Sequence, residues 1–112
     1  MAPGATRTTA VIDTGAEMTV IRPTVAQALL LSDPIRRVPL AGVAGIPQMA
    51  PVYAVRLVVG EPGNASAPIN IAAVVAELVG DQHGCLLGRD VLRYGGLAWY
   101  GDAHHFQLVL PR

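Results

Sequence analysis

The sequence predicts a mostly-β domain, on three observations. Short apolar runs recur along its whole length, glycine- and proline-rich turns separate them, and only two brief stretches are built from helix formers. The 112 residues suffice for one domain with one modest core, and no repeat or linker divides them. Apolar residues make up 52% and charged residues 14%, a composition that collapses into a core instead of staying disordered.

The elements follow in order. Thr8 to Ile12 is a largely β-branched run leading into Asp13-Thr14-Gly15, and Met18 to Ile21 is a second apolar run closed by Arg22-Pro23. From Thr24 to Leu31 the residues favour a short helix, which Ser32-Asp33-Pro34 ends. Arg36-Arg37 suggests a solvated turn, and "LAGVAGIPQMAP" (40–51) a flexible loop or hairpin tip. Tyr53 to Val59 and Ile69 to Leu78 predict strands, with "GEPGNASAP" as the turn between them. After "GDQHG", Cys85-Leu86-Leu87-Gly88 is a short buried strand and "RDVLRYGG" a brief helix closed by Gly95-Gly96. Trp99-Tyr100, Gly101-Asp102 and Phe106 to Leu110 predict a closing hairpin.

Several function classes lack support. The net charge is zero, so nothing favours nucleic acid or an anionic membrane electrostatically. Five aromatic residues, Tyr53, Tyr94, Trp99, Tyr100 and Phe106, make no stacking platform for bases and fit core or interface positions. The N-terminal "MAPGATRTTA" has no apolar centre of a signal peptide, and no apolar stretch approaches the roughly 20 residues of a membrane span. One cysteine, Cys85, excludes an intrachain disulfide, fits a reducing, cytoplasmic setting and sits where a buried, inert thiol is expected. Asn64-Ala65-Ser66 matches a glycosylation sequon that carries little meaning without a secretion signal. His83, His104 and His105 lack acidic or cysteine partners at ligand spacing, so no metal site is expected. The high apolar fraction on so short a chain suggests that some surface is buried against a second chain.

The informative stretch is "AVIDTGAEMTVI", residues 10–21, where an apolar strand runs straight into a carboxylate. Gly15 lets the backbone turn and come close to other atoms, and Thr14 supplies a hydroxyl for a tight junction. A strand ending in such a loop holds Asp13 rigidly at a cleft, as a catalytic group requires. Ordinary strand-end turn chemistry is the bland alternative for an isolated Asp-Thr-Gly.

"VIDTGAEMTVI" near one end and "CLLGRDVL" near the other resemble the retropepsin-like aspartic proteases, the single-domain relatives of retroviral proteases. The resemblance runs from Thr8 to the C-terminus and implies a small closed barrel of the retropepsin type, with one or two short helices and a flap hairpin. It implies that Asp13 is the catalytic aspartate, that Thr14 interlocks two subunits beneath the site, and that Gly15 helps bind the substrate backbone. Ala16 would line the pocket floor, and Gly42, Val43, Ala44, Gly45 and Ile46, with Ala41, would form the flap tip over the substrate. Leu86, Leu87 and Gly88 would pack against the Asp-Thr-Gly loop as the ψ-loop. Arg89 would match the family's buried arginine, paired with Glu17.

The family usually carries about two dozen residues before its aspartate, whereas twelve precede Asp13, so the usual first strand is expected to be missing. Pro47 and Pro51 stiffen the second half of the flap. Aspartic proteolysis needs two carboxylates, one as base on a water and one as acid to the carbonyl, and the chain has one Asp-Thr-Gly. The expectation is therefore a homodimeric aspartic endopeptidase acting on extended peptide or protein substrates without a cofactor. A catalytically silent dimeric peptide-binding or scaffold module is the alternative, and a decayed gene product a further one.

Overall fold

A computed structural model describes residues 4–41, 47–78, 80, 82–101 and 105–112. Along the chain lie β1 (Ala10–Ile12), β2 (Val20–Ile21), α1 (Pro23–Ala28), β3 (Arg36–Ala41), β4 (Pro47–Leu57) and β5 (Gly60–Glu61). They are followed by β6 (Asn64–Ala65), β7 (Ile69–Val75), β8 (Cys85–Leu87), α2 (Arg89–Leu92), β9 (Gly96–Tyr100) and β10 (His105–Val109). The chain is mostly β, with two short helices.

Six strands form one sheet in the order β1-β8-β2-β7-β4-β3, while β5–β6 and β9–β10 are separate two-stranded ribbons. Strand β8 is inserted between β1 and β2, parallel to the first and antiparallel to the second, so Leu86 stands opposite both Val11 and Val20. Strand β7 is parallel to β2 and antiparallel to β4, and β3 closes the order beside β4.

Strand alternation explains why β7 is apolar but for the exposed Asn70. Ile69, Ile71, Ala73 and Val75 join a cluster with Ile21, Cys85, Leu87 and Val91, while Ala72 and Val74 face a second cluster with Ala50, Val52, Met18 and Val20. Helix α1 covers the first cluster through Val25 and Ala26, with Leu29 just beyond its end. Its Pro23 sits at the first helical turn, where the missing N–H costs nothing.

The long strand β4 resolves the proline-rich stretch that looks like loop in the sequence. Its residues 47–51 pair only with β3, Val52 pairs with both β3 and β7, and Tyr53 to Leu57 pair only with β7. A half-strand with a single neighbour tolerates Pro47 and Pro51. Arg36 and Arg37 are exposed residues of β3, not a turn, and the β3–β4 register runs to Ala41 opposite Pro47. Residues 42–46, the expected flap tip, lie outside the described residues.

The expected closed barrel is not found among the described residues. Strands β1 and β3 are the two ends of the sheet, and no pairing joins them. Closure needs strands long enough to tilt and coil until the ends meet, and β1 and β2 have only 3 and 2 residues. Among the described residues, no helix is long and apolar enough to cross a membrane.

Cys85 is 3% exposed, and burial, reinforced by the negative charge of Asp90, pushes its thiol up to about 11 from 9.0. A raised thiol pKa stabilises the fold fully below pH 9.0, the unfolded value, and that contribution is lost as the pH rises toward 11. The native protein at pH ~8 should therefore resist a disulfide thiol reagent, and release one equivalent once denaturant is added. Rapid stoichiometric reaction of the folded chain would contradict this burial.

Candidate active site

The site grows from the insertion of β8. Strand β1 runs parallel to β8, so the chain leaves β1 at Asp13 beside the end of β8, and it must cross that end to enter β2. Residues 13–19 make the crossing, and Gly88-Arg89 passes beneath them. The approach is too close for a side chain: a Cβ on Gly88 would stand 2.7 Å from the Met18 carbonyl carbon and 3.0 Å from the Ala16 oxygen.

Backbone hydrogen bonds fasten the loop to β8 and α2. Asp13 N–H donates to the Leu87 carbonyl at 2.9 Å, and Arg89 N–H to the Ala16 carbonyl at 2.8 Å. Arg89 Nη1 donates to the Thr14 carbonyl at 3.0 Å, so one arginine holds two loop carbonyls. The Asp13 carboxylate is oriented from within the loop: Gly15 N–H donates to its Oδ1 at 2.9 Å. Oδ2 has no hydrogen-bond partner among the described residues. A carboxylate held by one oxygen and open at the other can take or give a proton, but one such group cannot do both at once.

Asp13 is half-buried, Thr14 and Gly15 are exposed, and Ala16 is half-buried. A Cβ on Gly15 would lie 3.2 Å from Asp13 Oδ1, so close approach to the carboxylate is what the glycine provides. Leu87 is buried in the core and Leu86 half-buried. Glu17 and Arg89 approach to 3.8 Å, with side chains 86% and 52% exposed respectively. Arg89 is thus not a buried arginine in the single chain, and a surface pair of this kind contributes at most about 1 kcal/mol.

The buried polar centre beneath the loop is a different pair. Thr19, 1% exposed, donates its N–H to Asp90 Oδ2 at 2.9 Å and its hydroxyl to Asp90 Oδ1 at 2.7 Å. The Thr19 hydroxyl also accepts from Gly88 N–H at 3.2 Å, and its carbonyl accepts from Val74 N–H at 3.0 Å. Asp90 Oδ1 takes Val91 N–H at 2.9 Å as well, so both carboxylate oxygens are used. Sequence reasoning passed over Thr19 as part of an apolar run and Asp90 as a helix opener. The available signal was the single hydroxyl within Met18–Ile21 and the acid directly after Leu-Leu-Gly-Arg.

A second anchor also escaped the sequence. Arg22, its side chain 13% exposed, donates from Nε to the His83 carbonyl at 2.6 Å and from Nη2 to the Gly80 carbonyl, and stands 3.7 Å from Glu77. On the other side, Thr9 Oγ1 meets His83 Nδ1 at 2.9 Å. These contacts tie the segment before β8 to both arms that flank the Asp13 loop.

Thr19→Val keeps the volume but strands Gly88 N–H and removes a donor from Asp90. It should cost about 2 kcal/mol in urea unfolding. An unchanged midpoint would show that the Thr19–Asp90 contact carries no stability.

The chain matches one family over most of its length. Residues 4–94 match the family described as "gag-polyprotein putative aspartyl protease". No curated protein and no solved structure matches. The matched segment contains the whole crossing from β1 through the Asp13 loop to β2, together with β8 and α2, and the protein belongs to this retroviral-type aspartyl protease family.

Proposed function

We propose that the chain is an aspartic endopeptidase that works as a homodimer, with one Asp13 from each copy. The observation that carries this is the Asp13 loop: a carboxylate pinned through its backbone to Leu87 and oriented through Oδ1 by Gly15, in a chain of the aspartyl protease family. The family supports peptidase chemistry, and the single Asp-Thr-Gly requires a second copy for the second carboxylate.

In this mechanism two Asp13 carboxyl groups, about 3 Å apart, share one proton because both cannot ionise cheaply. The ionised carboxylate takes a proton from water as the water oxygen attacks the peptide carbonyl carbon. The protonated one gives its proton to the carbonyl oxygen. When the tetrahedral intermediate collapses, the carboxyl that took the water proton gives it to the amide nitrogen as the C–N bond breaks. The other carboxylate takes back a proton from a hydroxyl of the intermediate, which leaves an amine, a carboxylic acid and the pair with its one proton.

Thr14, exposed at the loop tip, would interlock with its counterpart across the two-fold. Gly15 and Ala16 would present backbone to an extended substrate, and residues 42–46 would close over it as a flap between β3 and β4. Leu86, Leu87 and Gly88 would hold the loop from below. Glu17 and Arg89 would fix its flank, with Arg89 acting mainly through the Thr14 and Ala16 carbonyls.

The test is cleavage of a diverse peptide library from about pH 4 to 7, read by mass spectrometry, with Asp13→Asn beside the wild type. The variant should lose at least about 10²–10⁴-fold in rate. The wild-type rate should fall both where the pair holds two protons and where it holds none, giving a bell on the acid side. Equal cleavage by Asp13→Asn would refute the mechanism.

A further inference from the structure

We propose that the cleft between β3, β7 and the end of α2, bordered by Arg36, Asn70, Arg93 and Tyr94, is an exosite for acidic segments of the substrate. Its arginines would take carboxylates several residues away from the bond that is cut. The proposal rests on the endopeptidase reading above and adds a substrate class to it.

The sheet register builds the cleft. Asn70 of β7 stands opposite Arg56 of β4, and directly paired residues of antiparallel strands point to the same face. Alternation along β4 puts Val52 on that face as well, and Arg36 of β3 stands opposite Val52. Arg93 and Tyr94 reach the same place from just beyond α2. Two neighbouring hollows, of about 220 and 330 Å³, share Asn70 and Tyr94. The smaller also holds Arg36, Arg93 and Met18, and the larger is walled by Pro68, Ile69 and Pro111.

The charge of this face is unspent. Three of the chain's eight basic side chains, Arg36, Arg56 and Arg93, stand in or beside the cleft, and all three are exposed. Among the described residues Arg36 and Arg56 have no ion pair or hydrogen bond, whereas Arg22 and Arg89 have both. Arg93 lies 5.2 Å from the centre of the Tyr94 ring and donates to its hydroxyl at 3.4 Å. Those neutral contacts orient the guanidinium without cancelling its charge. Asp90 also lines the smaller hollow, but Thr19 and Val91 N–H engage both of its oxygens. Guanidinium groups pair with carboxylates through two parallel hydrogen bonds, and the Asn70 amide adds further donors.

Position favours a substrate peptide as the occupant. Met18 lies at the far end of the crossing that starts at Asp13, five residues and at most about 18 Å away. An extended peptide covers that distance in about five residues. Arg36 opens β3, whose other end leads to residues 42–46, so the cleft lies beyond the expected flap. Arginines from three separate elements suit several carboxylates along one strand, and the apolar wall of the larger hollow suits the side chains between them. In a two-fold pair the same cleft recurs on the other flank of the cut bond.

Cleavage kinetics would be measured on two versions of one peptide cut in the library screen, with three glutamates or three glutamines about five residues from the cut bond. In parallel, a fluorescein-labelled segment with the three glutamates would be titrated by anisotropy with the wild type, Asp13→Asn and Arg36→Gln/Arg93→Gln. The glutamate version should show a KM about 5- to 10-fold lower with kcat unchanged. Wild type and Asp13→Asn should bind the segment alike. Both the preference and the binding should vanish in Arg36→Gln/Arg93→Gln, and fade as salt rises from ~0.05 to ~0.5 M.

Equal KM values together with binding that ignores both arginines would overturn the exosite and leave the protease standing. Arginine-dependent binding without cleavage of any peptide would support the cleft and sink the protease. Inorganic phosphate that displaces the segment at its own concentration would overturn the extended peptide in favour of a small anion. A thymidine oligonucleotide that displaces it far below that concentration would overturn it in favour of nucleic acid. The comparison of the two peptides and its salt dependence need no variant, so a misfolded Arg36→Gln/Arg93→Gln would not blunt the test.

Discussion

The bond between Thr19 and Asp90 is the constraint on which the rest of the site depends. It joins the start of β2 to the first turn of α2, and Thr19 also takes Gly88 N–H at the end of β8 and Val74 N–H near the end of β7. Four elements therefore meet at one buried residue, Thr19. Withdrawing a carboxylate from water, even in part, is costly unless it is hydrogen-bonded, and here three donors share the two oxygens of the half-buried Asp90. The return is geometric: the loop over β8 is fixed at its far end, so the position of Asp13 at the near end is fixed as well.

The division of labour between the two aspartates follows from their surroundings. Asp90 spends both oxygens on structure, whereas Asp13 spends one on Gly15 and keeps the other open. Arg89 lies between them in sequence and space, and its guanidinium and backbone N–H together hold two carbonyls of the Asp13 loop. Its 3.8 Å approach to Glu17 is solvent-exposed and secondary to those contacts.

Much of the fold was legible because apolar runs and turn residues are local signals. The strands around residues 10–12, 69–75 and 85–87, the helix at 89–92 and the C-terminal hairpin all follow from them. Long-range consequences were not legible. Pro47 and Pro51 look like loop residues until it is known that their half of β4 has one neighbour. Sheet closure depends on strand length and coiling, which no local pattern encodes. At the site, Asp13 stood out because a charge after an apolar strand is conspicuous, whereas Thr19 and Asp90 each look ordinary alone. Their role exists only when residues 71 positions apart meet, and a single sequence does not display that pairing.

The insertion of β8 between β1 and β2 carries a consequence for the order in which the protein can be made. Cys85 to Leu87 must enter a slot whose walls, Ala10–Ile12 and Val20–Ile21, leave the ribosome more than sixty residues earlier. Until then both walls have open edges, and such edges recruit other chains when they wait. Contacts so far apart in sequence also slow folding, because loop closure comes before any gain from pairing. The carboxylate loop of the nascent chain thus stays unformed while the residues between β2 and β8 are made, and it takes shape only once β8 follows.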